Sequence, residues 1–135
     1  MTFEDLESWK RARELTRDVY TLTRKDALTR DFGLSGQIQR ASVSIMSNLA
    51  EGFERFHLPE KLQFYNVARG SSAEVRSLSY VIEDNYTNLR QEAIALREKS
   101  VQTGKLVTGL IQSTQSRKSR ISGFLSSIFH ILSPV

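Results

Sequence analysis

Phe64, Ala68, Ser71, Val75, Leu78, Ile82, Asn85 and Leu89 recur at alternating spacings of four and three without a break. A helix turning about 100° per residue gathers such positions onto one stripe, whereas a strand needs alternation at every second residue. The rhythm also predicts left-handed packing against neighbouring helices at a crossing angle of about 20°. With seven glycines and two prolines in 135 residues, long stretches lack a breaker, which favours helices over a many-turned β fold.

Three further segments repeat the pattern. Thr2 and Asp5 stand at capping-box spacing before a helix predicted to reach Asp26, with Trp9, Ala12, Leu15, Val19 and Leu22 on one stripe. A turn at Asp31, Phe32 and Gly33 precedes a second helix, Leu34 to Phe56. Pro59 suits the first position of the third, with Glu60 at the positive end of its dipole. The fourth is expected to start at Asn88, with Gln91 completing a second capping box, and to carry Ala93, Leu96, Ser100, Thr103, Val107, Leu110 and Thr114 at heptad spacing. The fold class expected is all-α, an antiparallel up-down-up-down four-helix bundle over residues 1–115. Residues 116–135 form an extra short C-terminal amphipathic segment, basic at Arg117, Lys118 and Arg120 and apolar at Ile121, Phe124, Leu125, Ile128, Phe129 and Leu132. Docking on the segment's own domain or a neighbouring subunit is favoured over a membrane surface.

The second helix has more apolar surface than one core can use. Leu34, Ile38, Ala41, Ile45, Leu49, Gly52 and Phe56 make one face, and Val43, Met46, Ala50 and Phe53 make another beside it. The two cover roughly 220° of a helical wheel, against roughly 100° for an ordinary surface helix. Every helix of a four-helix bundle is peripheral, so the second face is expected to meet another subunit. Asn48 falls at the edge of the core arc, where one amide can fix register, and Gly52 implies a close backbone approach or a kink. Glu51 and Arg55, four apart on the polar side, are positioned to pair.

Charge is unevenly placed. Residues 1–115 hold 16 basic and 15 acidic side chains, so the net charge of +4 comes mostly from three cations in the last 20 residues. An RNA-binding surface on the body must therefore come from segregated charge. Lys10, Arg13, Arg17 and Arg24 form a stripe that fits either a solvated face, with Glu7 pairing to Arg11 and Glu14 to Arg17, or a phosphate-contacting ridge. Tyr65, Arg69, Arg76 and Tyr80 form another, with Ser72 and Ser79 nearby, which fits a subunit interface or a surface that stacks bases and holds phosphates.

The chemistry-bearing motifs are sparse. There is no cysteine, and His57 and His130 have no ligand partner at metal spacing. No HExxH, Walker loop, GxGxxG or GxSxG setting occurs. No catalytic residue, metal site or cofactor is expected. From the charged start no secretory leader is expected, no apolar run approaches the roughly 20 residues of a membrane span, and a cytoplasmic location is expected.

The stretch FGLSGQIQRASVSIMSNLAEGFERF, with FEDLESWKRARELTRDVY before it and FYNVARGSSAEV after it, resembles the four-helix-bundle proteins encoded by intervening sequences in bacterial 23S ribosomal RNA genes. The resemblance runs from Phe3 to about Thr114 and rests on Phe32, Gly33, Leu34, Gln37, Ile38, Arg40, Ala41, Ser44, Ile45, Asn48, Ala50, Glu51, Gly52, Arg55, Ala68, Gly70, Ser71 and Glu74. It implies a ring-forming homo-oligomer, with a pentamer the expected form. Related bundles are RNA-binding accessory subunits of the reverse transcriptases of diversity-generating retroelements. Met46 stands where many members carry proline, and the chain beyond Ser116 has no counterpart. The partners expected are further copies of the chain and structured RNA or the ribosome, with Lys10, Arg13, Arg17, Arg24, Arg40, Arg69 and Arg76 as RNA-binding candidates. The rival expectations are a protein-interaction scaffold and a protein that acts at a membrane surface through its tail.

Overall fold

A computed structural model describes residues 1–132, with the side chains of residues 118–122, 129 and 132 outside the description. The four long helices are α1 (Glu7–Thr23), α2 (Phe32–Glu54), α3 (Leu58–Asn85) and α4 (Arg90–Leu132), and no strand occurs among the described residues. Sequential helices pack against each other and α1 also packs on α4, while α1 and α3 make no contact and lie across the diagonal. Short connections force neighbours to run antiparallel, giving the up-down-up-down bundle. The core is the meeting of the predicted stripes: Leu15, Val19, Ile38, Ile45, Leu49, Val75, Ile82, Leu89 and Val107 are fully enclosed.

The ends of the helices are set locally. The Thr2 and Asp5 box forms, but it caps a short 3-10 turn at Phe3–Asp5, because Leu6 adopts an extended ψ of 126° before α1 begins. Asp31 caps α2 by accepting from the Leu34 N–H at 3.2 Å. The Tyr86 hydroxyl at the end of α3 donates to the other Asp31 oxygen at 2.6 Å, tying that cap to a point 55 residues away. Asn88 does not cap α4. Its amide donates to Asp26, which the tight α1–α2 connection holds at a φ of 50°, and α4 starts two residues later.

Three features of α2 differ from the sequence expectation or sharpen it. Gly52 is a close approach and not a kink: a Cβ there would stand 2.7 Å from Cε1 of Tyr65 and 3.0 Å from Cβ of Phe64. Asn48 donates to the Ser44 carbonyl and hydroxyl, and that hydroxyl bonds Ser71 of α3 at 2.8 Å, so the polar ladder sets the register of α2 against α3 within one subunit. Phe56 is 95% exposed, and Arg55 does not pair with Glu51. The chain leaves the helix at Arg55, which is extended, so neither residue keeps helical spacing to its predicted neighbours. Arg55 lies instead over the Phe64 ring at 4.7 Å.

Tyr65, expected at a subunit interface, belongs to the core of its own bundle at 2% exposure, because it fills the space over Gly52. The expected boundary at residue 116 coincides with no break in the helix. α4 continues through it, 43 residues against 28 in α3, which makes it longer by about 22 Å. Phe124, Leu125 and Ile131 are exposed there, so this stretch does not fold back on its own domain. Ile121, Phe129, Leu132, Lys118 and Arg120 of the expected amphipathic face lie outside the described side chains, as do residues 133–135. No helix among the described residues is long and apolar enough to cross a membrane.

Candidate nucleic-acid interface

The predicted cations fall on separate faces. On α1, Lys10, Arg13 and Arg17 line a shallow hollow together with Trp9, Glu4 and Glu14. Here the acids are interleaved, with partners other than those expected: Glu7 meets Lys10 at 3.5 Å in place of Arg11, and Glu14 meets Arg11 at 3.4 Å in place of Arg17. Arg13 stacks 5.8 Å from the centre of the Trp9 ring. Arg24 is exposed just past the end of α1, where a cation suits the negative pole of the helix. Arg40 is exposed on α2, folded down over Gly36, whose missing side chain makes room for the guanidinium.

Arg69 and Arg76 are different, because they share a groove. It lies between α3 and α4, has a volume of about 450 Å³, and adds Lys105 of α4 to the two arginines. No carboxylate lines it. The floor is made of small residues, Ser72, Ala73, Ser100, Gly104, Thr108 and Gly109. The Ser72, Ser100 and Thr108 hydroxyls each donate back to a carbonyl of their own helix, so they need no partner across the groove. Gly104 lets the helices close up, since a Cβ there would be 3.1 Å from Oγ of Ser72. At Gly109 a Cβ would meet nothing within 4 Å, so the groove is open there.

Tyr80 stands one turn beyond Arg76 on α3. It is 45% exposed, and the Arg97 guanidinium of α4 covers it with its centre 3.5 Å from the ring centroid. Arg97 also donates from Nε to Oγ of Ser79 at 3.0 Å and meets Glu83 at 3.5 Å. Its Nη2 is a buried side-chain nitrogen without a partner. The Tyr65, Arg69, Arg76 and Tyr80 stripe is thus split: Tyr65, Ser72 and Ser79 turn inward, while Arg69, Arg76 and Tyr80 face out.

Neither Lys105 nor Arg97 was singled out by the sequence pattern, because attention to the apolar heptad of α4 passes over positions between its members. The signal that could have found the groove is the run of Ser100, Thr103, Gly104, Thr108 and Gly109, side chains too small to fill the space between two helices.

The other apolar face of α2 is only partly covered. Val43 is exposed, and Met46, Ala50 and Phe53 are half-buried, with Met46 packed against the core edge. Lys61 donates to the Gly52 and Phe53 carbonyls and closes the end of that helix, and burial pushes its ammonium below the usual lysine range.

No group of three or more metal-ligating side chains occurs among the described residues. No curated protein matches the chain. The bundle itself matches the family model of the 23S rRNA-intervening sequence protein over residues 4–109, all of α1 to α3 and the first 20 residues of α4, and the chain belongs to that family.

Proposed function

We propose that the chain is a non-enzymatic subunit of a homo-oligomeric ring, a pentamer on the family resemblance, which binds structured RNA or an RNA–protein assembly such as the ribosome. The observation that carries this reading is the α3–α4 groove, where Arg69, Arg76 and Lys105 gather without a carboxylate on a body that is otherwise close to neutral. One subunit offers few cations. Several copies facing one RNA convert them into a multivalent surface, and each released counterion adds to the salt dependence. Assembly is supported by the half-covered face at Val43, Ala50 and Phe53.

The test is light scattering of the nuclease-treated protein with and without 23S ribosomal RNA, at low and moderate salt. A ring that gains mass with RNA and loses it as salt rises is the expected result. A ring indifferent to RNA at both salts would replace this reading with a protein scaffold, which the same apolar face of α2 supports. The accessory-subunit role in a retroelement is the narrower form of the RNA reading and predicts co-purification with a reverse transcriptase.

A further inference from the structure

The α3–α4 groove has a shape as well as a charge, and the shape selects among nucleic acids. Its cations sit on the walls, Arg69 and Arg76 on α3 and Lys105 on α4, while six of the eight residues between them, all but Val101 and Gln112, are no larger than threonine. A volume of about 450 Å³ is at the scale of a small-molecule pocket, enough for a nucleotide-sized unit to enter and far too little for a double helix. A duplex is convex and would touch only the rims. An extended strand can lie in the groove with its phosphates against both walls.

The spacing along the groove agrees. Arg69 and Arg76 are seven residues apart on one helix, about 10.5 Å along its axis, a reach that a few nucleotides of one strand span. One turn further along the same stripe is Tyr80, exposed and held in place by Arg97. A basic channel that leads to a fixed aromatic ring is the arrangement by which proteins hold single strands without reading their sequence. The Ser72, Ser100 and Thr108 hydroxyls on the floor spend their protons within their own helices, which leaves Gln112 at one end as the amide of the lining.

We infer that the groove is a track for one extended RNA strand, with phosphates on Arg69, Arg76 and Lys105 and a base stacked on the side of Tyr80 that Arg97 leaves exposed. This rests on the RNA-binding reading and specifies it: the ring grips a single-stranded segment of its target, a loop or an unpaired end, and not the helical stems. Gly109 sets the depth of the track. A Cβ there meets no protein atom within 4 Å, so a larger side chain has room to grow into the groove from that point.

The experiment is fluorescence anisotropy of the full-length protein with a labelled 12-nucleotide oligouridine and with a labelled 12-base-pair RNA duplex, for the native chain and for Gly109→Leu, Arg69→Gln with Arg76→Gln, and Tyr80→Leu. The native protein is expected to prefer the single strand by about tenfold. Gly109→Leu is expected to lose that binding while its melting temperature and oligomer mass hold or rise. The paired glutamine variant should flatten the salt slope, and Tyr80→Leu should weaken binding about tenfold with the slope intact. Equal binding of strand and duplex, or undiminished strand binding in Gly109→Leu, would overturn the track, and the RNA-binding reading would stand if the glutamine pair still lost affinity. A fall in oligomer mass in Gly109→Leu would instead identify the groove as a seam between copies and overturn the track. Absence of RNA binding by the native chain in any form would remove both.

Discussion

Gly52 lies directly beneath the ring of Tyr65, so that a Cβ at residue 52 would stand 2.7 Å from Cε1 and 2.9 Å from Cδ1 of the tyrosine. Two helices meet there at the distance set by one ring on bare backbone. Glycine in a helix costs about 1 kcal/mol relative to alanine, and the fit of Tyr65 into the core at 2% exposure offsets it.

Gly52→Ala therefore has two opposing terms. The propensity gain is smaller than the cost of forcing a buried ring aside, and net destabilisation of about 1–3 kcal/mol is expected. Gly70→Ala is the control, because its Cβ meets nothing, and it should stabilise by up to about 1 kcal/mol. Chemical denaturation of the two variants measures both signs. A stabilised Gly52→Ala would show that the contact is not a constraint.

The Asp31 and Tyr86 pair makes stability depend on pH at both ends of the scale. The Tyr86 hydroxyl, helped by the Leu34 N–H, holds the Asp31 carboxyl below its ordinary value near 3.8, and the same bond raises the Tyr86 phenol above 10.0. A depressed carboxylate contributes fully above its unfolded value and loses that contribution as pH falls through the folded one. A raised phenol contributes fully below its unfolded value and loses it as pH climbs through the folded one. Tyr86→Phe should thus lower the melting temperature between about pH 5 and 9 and converge on the native protein toward both extremes. A constant offset from pH 2 to 11 would assign the effect to packing.

Arg97 ties α4 to α3 through Tyr80, Ser79 and Glu83, with its side chain 16% exposed. Removing it leaves Glu83 with no cation in a half-buried site, and Arg97→Ala is expected to cost about 2 kcal/mol. Arg97→Lys should recover only part of this, since an ammonium cannot lie flat on the ring while also bonding Ser79. A double-mutant cycle with Glu83→Gln isolates the ion pair, and a coupling energy of zero would place the whole effect in the Tyr80 and Ser79 contacts.

Val43 and Phe53 distinguish folding from assembly. Val43 is 40% exposed in the single chain, so Val43→Glu should leave the melting of the bundle within about 0.5 kcal/mol. If its face is the subunit contact, a buried unpaired carboxylate breaks the ring, and light scattering should report a mass near 15.4 kDa. An unchanged assembly would move the interface elsewhere.

The helices and most of their buried apolar faces were legible in the residue pattern. Ala68, Val75, Leu78, Ile82 and Leu89 of the four-three rhythm, the Trp9 to Leu22 stripe of α1 and the Ile38, Ile45 and Leu49 face of α2 lie in or against the core, because helical periodicity is a local property; Asn85, on the same rhythm, is exposed at the last turn of α3, where it bonds the Val81 carbonyl. The family resemblance was legible for the same reason, as its residues cluster in α2 and early α3. Which polar side chains meet depends on how the helices dock. Tyr65 and Arg69 are four apart on one stripe, yet the space over Gly52 draws the first into the core while the second stays on a groove wall. Lys105 reaches that groove from a helix 29 or more residues away, and Arg97 finds Tyr80 across the same gap. A charge pattern read along one helix cannot reveal them, since the partner of an exposed side chain is set by the distance and angle between helices, and those are fixed by how the cores interlock.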